Sequence, residues 1–532
     1  MSVSPKGQLP TIPSSTMTSI KQQQQQQQPR EDSAESLDSG DNDGRIELKK
    51  QINLFHCVSI IIGIIVGGGI FVSPVGITLH VRSVGMSVMM WGVAGFFSML
   101  CALCYAELGS CIPESGGEYV YIQRAWGDFA AFMCLWMNYI IINPVCVAAS
   151  SLVFATYVLR PLFPDCEPPV EAERVLAALI IAFLVAINCH SVQWVTKLQA
   201  AITFCKLAAL IVIIVIGFVW LGNGHSENFQ NSFADSDYSA GAISISFYSG
   251  FFAFGGWSYL NFLTDEVINP HRNLPLGIMI SITAVTFIYI TANIAYFAVL
   301  TPQEMLTSSA VAVTFLERTV SSLSYVVPVL IAISVVGGMN GSILSMSRLF
   351  YVAAKNNHLP RIISMITVKS LTPTPSLISM FALVVIMQSF GNIFFLVEMM
   401  GFCLAIVLVM VFAGQVLLRW TEPDLYRPIK LPVALPIFLS CACAAILGIT
   451  VYQKPQESGI ALSIVACGLP AYVLGSKWDK PDCIQNILDD VTSFLQKLML
   501  VTSQDACEED DSDDDDIDAV DDGSFGEKKL MS

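Results

Sequence analysis

Twelve apolar stretches approach the ~20 residues a helix needs to cross hydrocarbon. They are Leu54–Leu79, Val84–Tyr105, Phe129–Tyr157, Val175–Asn188, Leu198–Leu221, Ala240–Leu263, Leu276–Leu300, Val327–Val352, Ser376–Phe390, Ile393–Leu418, Val433–Tyr452 and Ile460–Leu474. The fourth, ninth and twelfth are the shortest. Inside a bilayer every backbone polar group must be satisfied internally, and apolar runs of this length do so as helices. The composition agrees: 54% of residues are hydrophobic, and only 13% are charged. A soluble domain carries about 25% charge, so this chain cannot solvate a globular surface. The reading is an all-α polytopic membrane protein with twelve transmembrane helices. It excludes a secreted enzyme, a nucleic-acid-binding protein and a fibrous chain.

The net charge of −16 belongs to the ends of the chain. Residues 1–48 contribute −3, residues 505–532 contribute −11, and the remainder is close to neutral at −2. Three regions follow. Residues 1–48 form a disordered N-terminal tail with a polyglutamine run (Gln22–Gln28), and 49–476 form the transmembrane domain. Residues 477–532 form a C-terminal segment that ends in a self-repelling acidic tail. The first apolar stretch is too long for the core of a signal peptide, so the first span is expected to stay uncleaved. An even number of spans puts both ends on one side. If that side is the cytoplasm, the inner membrane-proximal segments hold 15 Lys/Arg against 5 outside, as the positive-inside bias requires.

Three consecutive glycines, Gly67-Gly68-Gly69, interrupt the first span within GIIVGGGIF. Together they cost about 3 kcal/mol of helix propensity relative to alanine. Small residues also pack helices closely in lipid, but such packing spaces them at i and i+4, whereas a run of three strips every face. A second interruption, YSGFFAFGGW (Tyr248–Trp257), breaks the sixth span. Spans 1 and 6 correspond if spans 1–5 and 6–10 are inverted repeats. Paired interruptions of that kind mark a transporter site at the bilayer midplane, a rule whose known examples include the leucine-transporter fold. An unwound segment frees N–H groups that hold a carboxylate and carbonyls that accept from an ammonium. Every free α-amino acid carries both groups.

Five stretches carry a family resemblance: GIIVGGGIFVSP (Gly63–Pro74), YAELGSCIPESGGEYVYI (Tyr105–Ile122), YSGFFAFGGWSYLNFLTDEVINPHRNLP (Tyr248–Pro275), NGSILSMSRLFYVAAKNNHLP (Asn340–Pro360) and EPDLYRPIKLPVALP (Glu422–Pro436). The chain resembles the light-chain subunits of heteromeric amino-acid transporters, the L-type family within the amino acid–polyamine–organocation superfamily. The resemblance runs from about Leu54 to Leu474. It implies the inverted 5+5 repeat, discontinuous helices 1 and 6, two extra helices, and sodium-independent obligatory exchange of L-amino acids at the plasma membrane.

By that resemblance the substrate carboxylate meets N–H groups around Gly68 and Gly69, with Gly67 beside them among the substrate-binding residues, and the ammonium meets carbonyls at Ile65, Phe252 and Gly255. Phe252 is the implied aromatic gate, while ordinary lipid-facing packing is the expectation for Phe251. Trp257 and Ser258 stand beside the pocket. Many relatives have Gly-Ser-Gly at the glycine run and a larger amide where Ser258 stands, which bears on side-chain selectivity. No charge is visible beside Phe252, Trp257 or Ser258, and this favours neutral substrates. A cationic/neutral exchanger and an amino-acid sensor that does not transport are the alternatives.

Lys206 lies within the fifth span, where an ammonium costs about 2.5–3.5 kcal/mol on insertion scales. It either snorkels to the interface or, as the resemblance implies, substitutes for the sodium ion of sodium-coupled relatives. Glu398 in the tenth span is either merely buried and protonated or faces the substrate path. Most of the fifteen cysteines lie in spans as buried thiols, Cys101 and Cys104 among them. Cys166 alone falls clearly in an outer loop, and a lone extracellular cysteine suggests an intermolecular disulfide. The resemblance gives it a mate, a single-span glycoprotein heavy chain. The one Asn-x-Ser/Thr triplet, Asn340-Gly341-Ser342, falls inside a span. No metal-ligand motif, cofactor motif or catalytic constellation appears, and a membrane enzyme is not expected.

Overall fold

The computed structural model describes residues 52–112, 114, 116–163, 168–190, 192–261, 267–308, 310–320, 326–356, 358–367, 372–389, 393–474, 482–499 and 501–502. The polyglutamine and acidic tails, Cys166, Asp265 and Glu266 lie outside the described residues.

The glycine run ends the first helix as expected. Helix α1 (Leu54–Ile65), capped by the Asn53 side chain, stops before Val66, and α2 (Gly69–Val81) restarts at an angle of 48°. The Gly67 N–H turns back to the Ile65 carbonyl at 2.8 Å, a bond too short in sequence to continue an α-helix. Helix α3 (Val84–Cys111) follows, capped by the Ser83 hydroxyl. Gly116 and Gly117, both at positive φ, turn the chain into α4 (Glu118–Trp126).

Next, α5 (Asp128–Met137) passes through a π-helical turn (Asn138–Ile142) into α6 (Asn143–Leu159). The cause is Pro144, which has no N–H for the α-helical bond and widens the preceding turn. Then come α7 (Val170–His190), α8 (Val192–Gly222) and α9 (Ala240–Ala253). Helix α9 stops at the second interruption, where the Gly255 N–H returns to the Phe252 carbonyl at 3.0 Å.

Beyond it lie α10 (Pro270–Val299), the short α11 (Pro302–Thr307) and α12 (Val311–Thr319), and α13 (Val326–Lys355). The remainder is α14 (Thr374–Gln388), α15 (Ile393–Thr421), α16 (Ala434–Gln453), α17 (Pro455–Tyr472) and α18 (Asp482–Met499). Strand β1 (Ile366–Thr367) pairs antiparallel with β2 (Val501–Thr502), with Ile366 opposite Thr502.

Among the described residues, six helices are long and apolar enough to cross a membrane, or seven if α1 and α2 form one bent span. Shorter apolar helices cover Lys206–Gly222, Ala240–Ala253 and Thr374–Gln388. Phe96, Phe183, Phe218 and Phe287 stand exposed along helix faces, an arrangement suited to lipid and costly in water. The core lies between α2, α3, α6, α8, α9, α10, α13 and α15, with α10 along α3, α9 along α2, and α13 against both α6 and α8.

One end of the bundle is tied by a buried ion pair. Arg419 at the end of α15 donates to Glu107 near the end of α3 at 2.5 Å and to the Leu431 carbonyl at 2.8 Å. The Leu431 N–H donates to the other Glu107 oxygen at 3.0 Å. Arg124 adds a two-pronged contact to Glu422. The motif Glu422–Pro436 is therefore folded back onto the helix ends.

Candidate functional site

The two interrupted helices meet around a cavity. Ile65, Gly67, Gly68, Gly69, Phe252, Gly255, Trp257 and Ser258, separated by almost 200 residues, all line it. Asn138, Asn143, Tyr105, Ser342 and Met400 complete much of the wall.

The glycines are there because backbone must approach backbone. A Cβ on Gly69 would lie 2.5 Å from the Cα of Ala253, so the start of α2 rests directly on the end of α9. Gly256 adopts φ 108°, a conformation L side chains rarely adopt, and a Cβ there would lie 2.5 Å from the Ile64 side chain. The chain turns around Phe254, which packs against Trp91 and Tyr289.

At the start of α2 the Phe71 N–H returns to the Gly68 carbonyl at 3.1 Å, and the N–H groups ahead of it carry the positive end of the helix dipole. At the ends of α1 and α9 the last carbonyls are freed. The site thus presents donors and acceptors within one cavity, a pattern complementary to a small zwitterion. Two of the carbonyls named from sequence are already engaged: Ile65 accepts from the Gly67 N–H and the Tyr289 hydroxyl, which takes both its lone pairs, whereas Phe252 accepts once, from Gly255. The Phe252 carbonyl keeps a second lone pair for a ligand.

Lys206 is fully buried and does not snorkel. Its ammonium donates to the Gly63 carbonyl. In a continued α1 that carbonyl would accept from Gly67, whose N–H has turned to Ile65 instead. The lysine therefore fills a vacancy made by the glycine break. Gly337 of α13 leaves room beside it, since a Cβ there would come within 3.2 Å of Nζ.

Phe252 lines the cavity as expected. Phe251 was expected to face lipid, yet it too lines the cavity and packs on Phe97 and Phe247. Helix α9 is enclosed on both sides where it breaks, which amphipathic reasoning cannot detect in a uniformly apolar segment. Glu398 does not line the cavity between the broken helices. It pairs with Lys454 at 3.3 Å in a separate small cavity with Tyr248, Thr450 and Glu457. Cys101 and Cys104 are buried free thiols. His271 hydrogen-bonds the Ser110 carbonyl at 3.0 Å, a tether between α10 and α3.

Two residues escaped the sequence reading. The Tyr289 hydroxyl lies 2.9 Å from the Ile65 carbonyl and 3.2 Å from the Ala253 carbonyl, so one side chain of α10 bridges the ends of both broken helices. Nothing in the apolar pattern of α10 distinguishes it. Glu118, the first residue of α4, also lines the cavity, although no charge was expected there.

The amino acid permease model matches residues 52–469, from just before α1 to near the end of α17. The chain belongs to the amino acid permease family. Among similar permeases, the large neutral amino acids transporter small subunit 2 of Homo sapiens is 40% identical over 472 residues, 88% of each chain. The cystine/glutamate transporter of Homo sapiens is 40% identical over 462 residues, covering 87% of this chain and 92% of that one. The Asc-type amino acid transporter 1 of Mus musculus is 39% identical over 473 residues, covering 88% and 89%. The match takes in both helix breaks of this permease, Lys206 and the cavity between them.

Proposed function

We propose that this permease is the light chain of a heterodimer that exchanges L-amino acids, neutral ones foremost, across the plasma membrane without sodium. The observation that carries the reading is the cavity between two broken helices, where a helix N-terminus faces freed carbonyls. A free amino acid matches both. The names of the similar permeases, which span neutral amino acids, cystine and glutamate, support the substrate class. Twelve spans in a 5+5 inverted repeat, with both termini cytoplasmic, agree with the correspondence of the two breaks and with the Lys/Arg bias. Flux of labelled leucine into sealed vesicles tests the reading, because a sensor binds without moving anything.

The partner reading rests on Cys166 and on the words "small subunit" in a relative's name. A disulfide from Cys166 to a single-span glycoprotein heavy chain should give a high-mass band on a non-reducing gel of the co-expressed pair. The band should collapse with reductant and be missing in Cys166→Ser. A band that persists in that variant assigns the link to another cysteine. Because a disulfide mainly limits separation of surfaces that also touch non-covalently, Cys166→Ser should lower surface delivery only in part.

A further inference from the structure

Glu118 carries a buried carboxyl that no Lys, Arg or His among the described residues is shown to neutralise. The left-handed turn at Gly116 and Gly117 sets it at the first position of α4, under the wall of the cavity. It is 5% exposed, and its Oε2 has no hydrogen-bond partner. The Asn138 side chain, presented by the π turn and donating to the Cys134 carbonyl at 3.1 Å, stands beside the carboxyl.

The titratable groups that face it are Tyr105 of α3, Tyr121 of its own helix, Cys134 of α5 and Tyr259 beyond the second break. All of them are acids that are uncharged near neutral pH. The charged groups on the neighbouring elements are engaged elsewhere: Arg124 with Glu422, Asp128 with Gln123, Arg419 with Glu107, and Glu398 with Lys454. Among the described residues, no Lys, Arg or His lines the cavity.

We propose that Glu118 is a proton-binding site on the transport path, and that exchange of a zwitterionic substrate requires its uncharged form. The inference rests on the transport reading above. Ionised, Glu118 would place a second carboxylate in the cavity that must hold the substrate's own, with no protein cation among the described lining residues to offset the added charge. Protonated at Oε2, it becomes a hydrogen-bond donor in the cavity wall and adds no charge. Burial pushes its carboxyl up to about 7. The sign follows: a raised carboxyl is uncharged below that value and ionised above it. Exchange should therefore fall as pH rises through neutrality.

The experiment is leucine–leucine exchange by the full chain in proteoliposomes with equal pH on both faces. Leucine stays zwitterionic throughout the window, and equal pH removes any driving gradient. Between about pH 6 and about pH 8.5 the wild-type rate should fall roughly tenfold or more, following the uncharged fraction of the carboxyl. Glu118→Gln, uncharged and of the same shape, should hold its acid-side rate across the range. A flat wild-type profile overturns the proposal while leaving transport intact. So does a Gln variant that keeps the wild-type profile, or one that is folded by thermal melt yet inactive at every pH. A wild-type protein that moves no amino acid at any pH overturns the transport reading and this inference together.

Discussion

Gly69→Ala should lower exchange by roughly tenfold or more, whereas Gly67→Ala, two residues away, should keep most of it. A methyl on Gly69 would meet the Cα of Ala253 at 2.5 Å, and that backbone cannot rotate aside. The start of α2 would have to move off the end of α9. Overpacking of this kind costs about 1–3 kcal/mol, and each 1.36 kcal/mol is about tenfold in rate when it falls on the transport barrier. A methyl on Gly67 meets its nearest atom, the Ile64 carbonyl oxygen, at 3.5 Å, which is ordinary contact. Initial exchange rates, normalised to protein in the membrane, compare the two. Equal effects would mean that helix propensity alone, and not the contact between the broken helices, governs the site.

Lys206→Met should abolish most exchange without lowering thermal stability. The buried ammonium caps the Gly63 carbonyl that the break in α1 leaves open. A charge-assisted bond contributes about 1.5–3 kcal/mol, so its loss should slow exchange roughly tenfold to a hundredfold. Methionine fills much the same volume and removes a desolvation cost of about 2.5–3.5 kcal/mol on insertion scales. The Tm should hold or rise while exchange is lost. A parallel fall in both would make Lys206 a structural strut, and full exchange in the variant would remove its role.

How much of this was legible in the sequence follows from what each signal measures. Glycine runs report backbone need directly, so both breaks were visible at Gly67–Gly69 and near Gly255, and with them nearly half of the cavity wall. A charge in an apolar run demands a partner, so Lys206 was visible too, although its partner carbonyl was not identifiable until the bond from Gly67 to Ile65 was seen. Tyr289 was invisible because a tyrosine in a lipid-spanning helix reads as packing, and its reach to two carbonyls depends on the crossing of α10 with α1 and α9. Glu118 was read as part of a family motif. Its burial depends on the tight turn at Gly116 and Gly117, which brings a nominal loop under the bundle. Glu398 stayed open between burial and the substrate path, because its mate Lys454 stands 56 positions later and apolar patterning does not pair the two.

The central claim is that an amino acid held between two broken helices is exchanged across the membrane, with Lys206 taking sodium's place. The most direct measurement is the initial rate of labelled leucine uptake into sealed proteoliposomes, with choline replacing sodium. Vesicles preloaded with unlabelled leucine are compared with empty ones. The account predicts fast uptake into preloaded vesicles and little into empty ones. Equal rates in the two, or uptake that appears only when sodium is restored, would contradict it.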